Sequence, residues 1–170
     1  MSEDAQSVVA WTRSRLTPTQ RAYLAGLPLT CERVESLYVH ANAWKPEGWE
    51  YIASATAARR SLEATRGRLT FCGHVHAPTL YHWGATGLVA AFTPIAGVGI
   101  PLGAQRRWLA VLGSVGQPRD GNPAASYAIH DEERKQLTFY RVPFDVQTAA
   151  RKILDAGLPE WLAARLETGV

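Results

Sequence analysis

The sequence predicts an α/β or α+β fold in which helices pack on a mixed sheet. Two features of the chain carry that reading. Between residues 69 and 142, β-branched and aromatic runs alternate with Gly, Pro and charged turns, the mark of several short strands. At both ends of the chain, capping residues open stretches of helical character, which excludes an all-β chain, while the strand runs exclude a bundle.

From the N-terminus, Ser2 is placed to cap a first helix reaching about Leu16, with Val8, Val9 and Trp11 among its apolar residues. "TPTQ" opens a second helix, with Thr17 as N-cap, Pro18 in the first turn and Gln20 at the capping-box position. Two short strands are expected around Leu29–Val34 and Leu37–His40. "ANAWKPEGWEYI" reads as a loop, and a helix follows over about Ser54–Thr65, broken by Gly67. Strand 69–73 leads into "GHVH". "TLYHW", "LVAAF", "RRWLAVLG", "SYAIHD" and "QLTFYRV" read as further strands, the last two forming a hairpin around Glu132–Lys135. Helices at about Asp145–Ala156, capped by Asp145, and Pro159–Glu167 close the chain, with Gly157 between them.

Composition narrows the function classes. At 170 residues the chain has the length of one domain with a substantial core, and 46% hydrophobic against 19% charged residues is a globular balance. No apolar run approaches the roughly 18 residues that a membrane helix needs, so a membrane partner is not expected. The acidic start lacks the basic and apolar regions of a signal peptide, and a cytoplasmic location is expected. Cys31 and Cys72 form no CxxC, and Cys72 is expected to be a buried, inert thiol. The net charge of +3 comes from scattered arginines without interleaved aromatics, so nucleic-acid binding is not indicated.

The chemistry-bearing stretch is "FCGHVHAPTLYH". Residues i and i+2 of an extended segment point the same way, so His74 and His76 are expected to aim two imidazoles into one small volume. Gly73 is expected to ease the turn there. His40 ends another apolar run, "SLYVH", so if the two strands are neighbours three imidazoles meet at one sheet edge. His82 and His130 lie within other strand runs and read as structural or exposed. Trp44 and Trp49 read as packing on the loop, with a substrate cleft as the other use. "GSVGQPRDGNP" reads as a turn; in the functional reading it rims a site, with Arg119 as a forked phosphate donor and Asn122 bonding nearby.

These segments resemble a known family. "FCGHVHAPTLYH" is similar to the Gly-His-x-His motif of the calcineurin-like metallophosphoesterases, and "LYVHANAWKPEGWEYI" to the segment where a strand ends in a metal-binding histidine. "GSVGQPRDGNPAASYAI" resembles the Gly-Ser-x-Gly-Gln-Pro-Arg segment of the bacterial branch related to diadenosine tetraphosphatases. The resemblance implies an α/β sandwich of two packed mixed sheets flanked by helices. It implies hydrolysis of a phosphate-ester small molecule at two divalent ions (manganese, iron or zinc). It assigns His40 and His74 to one metal and His76 to the other.

The same resemblance exposes a gap. The Asp-x-His, Gly-Asp and Gly-Asn-His motifs of the family are absent, Asp4 is the only Asp before His40, and Gly121–Asn122 is followed by Pro123. Two ions about 3.5–4 Å apart need anionic ligands, which imidazoles are not. Residues 1–170 are therefore expected to be one domain, the C-terminal part of a metallophosphoesterase domain lacking its N-terminal strands, with no assignable catalytic residue. The exposed sheet is expected to be covered by a second copy or a partner chain. A non-catalytic remnant or interaction module is the alternative function, and a three-histidine mononuclear zinc site a further one.

Overall fold

The computed structural model describes residues 3–170, so the expected cap at Ser2 lies outside the described residues. The N-terminal helices are α1 (Glu3–Arg15) and α2 (Pro18–Ala25). Thr17 accepts from the Gln20 N–H while the Gln20 side chain reaches back to the Thr17 N–H, completing the expected capping box. Strands β1 (Thr30–Glu32) and β2 (Ser36–Val39) form a hairpin. A 3-10 turn, Pro46–Gly48, interrupts the loop before α3 (Ala55–Glu63), which Ser54 caps. Then come β3 (Leu69–Cys72), β4 (Thr79–Trp83), β5 (Val89–Phe92), β6 (Gly99–Pro101), β7 (Arg107–Val111), β8 (Ala125–Asp131), β9 (Gln136–Val142), α4 (Val146–Asp155) and α5 (Glu160–Thr168). The sequence pattern missed β6, whose three residues, Gly-Ile-Pro, carry no strand signature of their own.

The strands form two sheets. The larger is mixed, in the order β1-β2-β3-β7-β4-β5; the smaller, β6-β9-β8, is antiparallel throughout among the described residues. In the larger sheet β2, β3 and β7 run parallel, with Tyr38 opposite Phe71 and Phe71 opposite Ala110. β3 and β7 are covered on both faces, as parallel strands ordinarily are, whereas β2 leaves Tyr38 exposed on one face. Leu37, Val39, Cys72, Leu109 and Val111 face α3 with Ala58 and Leu62. Leu69, Phe71, Leu80, Trp108 and Ala110 face the smaller sheet, meeting Leu137 and Phe139. Residues alternate between the two faces along β7, which places two cores back to back across one strand.

The N-terminal segment departs from this packing. Over residues 5–35 no residue is buried, and Tyr23, Leu24, Leu27 and Leu29 are exposed apolar side chains. No helix among the described residues is long and apolar enough to cross a membrane.

Leu109 is fully buried on the central strand of the sheet, against α3. Leu109→Ala is expected to lower the unfolding free energy by about 2–5 kcal/mol in urea titration. Tyr127→Ala, on the exposed face of β8, is expected to change it by no more than about 0.5–1 kcal/mol.

Candidate metal centre

The centre begins where β2 and β3 stop pairing. The parallel ladder ends in a hydrogen bond from the Gly73 N–H to the His40 carbonyl, 2.9 Å long, which puts the residue after each strand side by side. His40 Nε2 lies 3.1 Å from His74 Nδ1. Two nitrogens bound to one ion at about 2.0–2.1 Å in neighbouring positions are separated by about 3 Å, so the spacing suits a shared ion.

The local backbone differs from the extended segment predicted for His74 and His76. Val75 N–H donates to the Gly73 carbonyl at 2.8 Å, closing a three-residue turn around His74, whose φ is +65°. His76 also has positive φ, +68°. Gly73 has no such torsion, and a Cβ there would come no nearer than 3.8 Å to the His40 carbonyl. The permissive geometry expected of the glycine is borne by the two histidines. Residues other than Gly adopt it at a cost of about 1–3 kcal/mol, and such strain gathers at functional sites.

His74 and His76 each have a main-chain group behind them. The ring of His74 hydrogen-bonds the backbone of Trp49, while its Nδ1 faces His40. His76 Nδ1–H donates to the Gln117 carbonyl at 2.8 Å, which leaves Nε2 as the lone-pair nitrogen. Carbonyl partners of this kind fix the tautomer and orientation of metal-binding imidazoles. Sequence reasoning could not assign them, because they come from loops distant in the chain.

Two loops hold these partners in place. Asn42 is fully buried; its side-chain amide donates to the Glu50 carbonyl at 3.0 Å and its oxygen accepts from the Lys45 N–H at 2.9 Å. The loop it pins lays Trp49 against His40, with centroids 4.6 Å apart, and stacks Tyr51 on His74 at 4.2 Å and 10°. The expectation of packing fits Trp44, which sits against the α3 core with Arg60 over its ring, but not Trp49, which is half-exposed beside the histidines. Tyr51 and Asn42 were missed; an aromatic or Asn in a loop carries no signal until the loop is folded.

The second loop runs from Gly113 to Pro123. Arg119 N–H donates to the His76 carbonyl at 3.2 Å, so the loop is tied to the histidine segment in both directions. Gly113 has φ +81°, and a Cβ there would approach Ser126 and Pro78 within 2.9 Å, so only glycine fits. The Arg119 guanidinium donates to Gln117 Oε1 at 2.7 Å and remains exposed. Asn122 spends its side-chain oxygen on the Ala124 N–H at 3.0 Å, in a turn that also bonds Gly121 N–H to the Gly169 carbonyl. The structure thus puts Arg119 beside His76 and gives Asn122 a local turn-stabilising bond.

The electrostatics of the mouth are one-sided. Burial lowers the pKa of His40, His74 and His76; His74 and His76 further depress His40, and Arg119, His74 and Arg165 further depress His76. Among the described residues, no three His, Cys, Asp or Glu side chains meet in a group able to hold an ion. His40 and His74 therefore fit two positions on one ion, and the residues described do not make a binuclear centre. His82 lies between Trp108 and Phe92, and His130 lies against Phe71, both apart from the pair, as expected. Burial pushes the Cys72 thiol up to about 12, as an inert core cysteine requires.

No family model matches the chain. It is 33% identical to an uncharacterised protein of Methanocaldococcus jannaschii, MJ0912, over 95% of this chain and 64% of that protein. It superposes with a TM-score of 0.87 and 35% identity on the crystal structure of a metallophosphoesterase from Sphaerobacter thermophilus, covering 95% of this chain and 65% of that one. The match supports the resemblance to the calcineurin-like metallophosphoesterases, and this chain has the metallophosphoesterase fold over the matched part. A hypothetical protein from Pyrococcus horikoshii, PH1004, shares the fold at a TM-score of 0.72 and 17% identity, over the whole of this chain and 62% of that one. The chain thus spans just under two thirds of the length of these three proteins.

Replacing His74 separates backbone strain from side-chain loss. His74→Gly is expected to be more stable than His74→Ala by about 1 kcal/mol, because glycine alone tolerates φ +65°. Urea midpoints of the two variants check this.

The lowered histidine pKa values set a pH dependence. Between the native values and the ordinary 6.5 the unfolded chain binds more protons, so stability is fully present above about pH 6.5 and declines as pH falls. Urea midpoints in chelator are expected to fall from pH 7.5 to 5.5. The fall should be smaller in His40→Ala/His74→Ala.

Proposed function

We propose that the chain supplies the histidine side of a metal-dependent phosphoesterase centre acting on a phosphomonoester or phosphodiester. The observation that carries this is the His40–His74 pair, its nitrogens 3.1 Å apart and turned together from two parallel strand ends. His40 Nε2 and His74 Nδ1 are the donors for one divalent ion; manganese, iron and zinc all accept imidazole. His76, through Nε2, is the donor nearest a second position. A bound ion of this kind supplies Lewis-acid polarisation of a phosphoryl oxygen and lowers the pKa of water.

The chain's own residues supply orientation and charge. Trp49 and Gln117 main-chain groups hold the His74 and His76 rings. Arg119, exposed beside His76, offers forked donors to a phosphate oxygen. The carboxylates and the leaving-group acid required for turnover are not assigned to any residue of this chain, and the complete centre draws them from elsewhere. A cytoplasmic location is compatible with this reading.

The alternative, a non-catalytic interaction module, is favoured by one observation: no carboxylate joins the histidines among the described residues. Calorimetric titration with Mn²⁺ and Zn²⁺ and hydrolysis of bis-p-nitrophenyl phosphate separate the two. The metal reading expects one modest-affinity ion per chain, weakened at least tenfold in His74→Ala and with little hydrolysis by the chain alone. Absence of metal binding, or binding indifferent to His74→Ala, selects the interaction module.

A further inference from the structure

Arginines that lie far apart in the sequence are gathered by the fold at the strand ends away from the histidines. Strand β7 begins at Arg107, which pairs with Trp83 at the close of β4; its other end, Val111, pairs with Cys72, next to Gly73. The guanidiniums of Arg59, from α3, and of Arg107 lie over the Trp83 ring, 5.6 and 5.7 Å from its centroid. Arg106 lies over Trp108 at 5.8 Å, and a Cβ at Gly84 would stand 3.9 Å from its Cγ. Arg107 also donates to the Thr65 and Gly67 carbonyls, which ties the turn carrying Arg66 to the same place. Arg59, Arg66 and Arg106 are exposed.

What holds these side chains leaves their charge uncancelled. An indole face attracts a guanidinium without bringing a counter-charge, and a carbonyl accepts from it as a neutral dipole. Among the described residues, Arg59 alone of the four pairs with a carboxylate, Glu63 at 2.8 Å. The sequence gives the reason: no Asp or Glu occurs between Glu63 and Asp120, the stretch that makes β3 to β7. Four arginines against one glutamate leave about three positive charges without a partner of opposite sign.

We propose that this surface binds a single-stranded nucleic acid through its phosphate backbone. Charge complementarity selects a polyanion. The cations stand on α3, on the 65–67 turn and at the start of β7, a row for several phosphates, and forked guanidinium donors match phosphate oxygens. A single strand fits better than a duplex, because its free bases can stack on guanidinium planes already held over indole rings. A lipid surface fits less well: it asks for apolar insertion, and the adjoining β4–β5 turn, "GATGL", offers Leu88 alone as a large apolar side chain. The expectation against nucleic acid rested on arginines without interleaved aromatics. Trp83 and Trp108 supply that interleaving once the strands have paired.

The test is fluorescence anisotropy of a labelled oligothymidine of about 16 nucleotides with the full chain. Chelator keeps the outcome independent of metal binding and of hydrolysis. Contacts to about three phosphates give a logarithmic salt slope of about −2, so affinity is expected to fall about twentyfold between about 50 and about 200 mM salt. Arg66→Ala/Arg106→Ala is expected to weaken binding about tenfold or more and to reduce the slope to about −0.7. Arg66→Lys/Arg106→Lys, which keeps the charge, should retain the slope. Arg13→Ala/Arg21→Ala removes the same charge from exposed helical positions elsewhere and should retain the affinity within about twofold. Absence of binding at the lower salt overturns the inference. So does equal weakening in the two alanine pairs, better competition by a duplex of the same sequence, or binding to phosphatidylserine vesicles in place of the oligonucleotide.

Discussion

The hydrogen bond from the Gly73 N–H to the His40 carbonyl is the point on which the candidate centre depends. It is the last rung of the parallel β2–β3 ladder, and it brings the residues after both strands to one place. Upstream of it, the register is set by burial on two faces: Leu37 and Val39 point to α3, while Leu69 and Phe71 point to the smaller sheet. A slip of one residue in β3 would exchange its faces and carry His74 away from His40. Core packing and the geometry of the histidine pair are therefore one constraint, transmitted through a strand of four residues.

Beyond that rung the backbone leaves regular geometry, and loops take over the positioning. His74 and His76 sit at positive φ without the freedom of glycine, held by the Trp49 and Gln117 main-chain groups and by Tyr51 stacked on His74. Buried Asn42 fixes one loop, and Gly113, packed against Ser126 and Pro78, fixes the other. Strained side chains supported from behind are held in one arrangement, as the proposed metal site would require. The mouth they form is rich in imidazole and guanidinium and poor in carboxylate, which tunes it toward an anionic complement.

The open face follows the same logic at the scale of the fold. Two cores back to back stabilise the central strands, but the inner face of β2 extends past the smaller sheet, leaving Tyr38 in a groove. Over residues 5–35 no residue of the helices or of β1 is fully buried. That is an unusual exposure of apolar side chains for a single domain. It coincides with a chain covering about two thirds of its relatives' length.

The sequence by itself determined most elements and the resemblance to the metallophosphoesterase fold. The Thr17 capping box, the Asp145 cap and the β8–β9 hairpin were legible because they depend on residues a few positions apart. The histidines were legible by type and by their places at strand ends. What the tertiary structure alone decided is how those histidines meet. Whether β2 neighbours β3, which nitrogen of His74 faces His40, and which carbonyl holds His76 depend on contacts between segments 33 to 41 residues apart. The same holds for β6, whose pairing with β9 makes it a strand although its own residues do not. Local signals reach across one helical turn or one hairpin; a histidine pair built from two parallel strands exists only once those strands have paired.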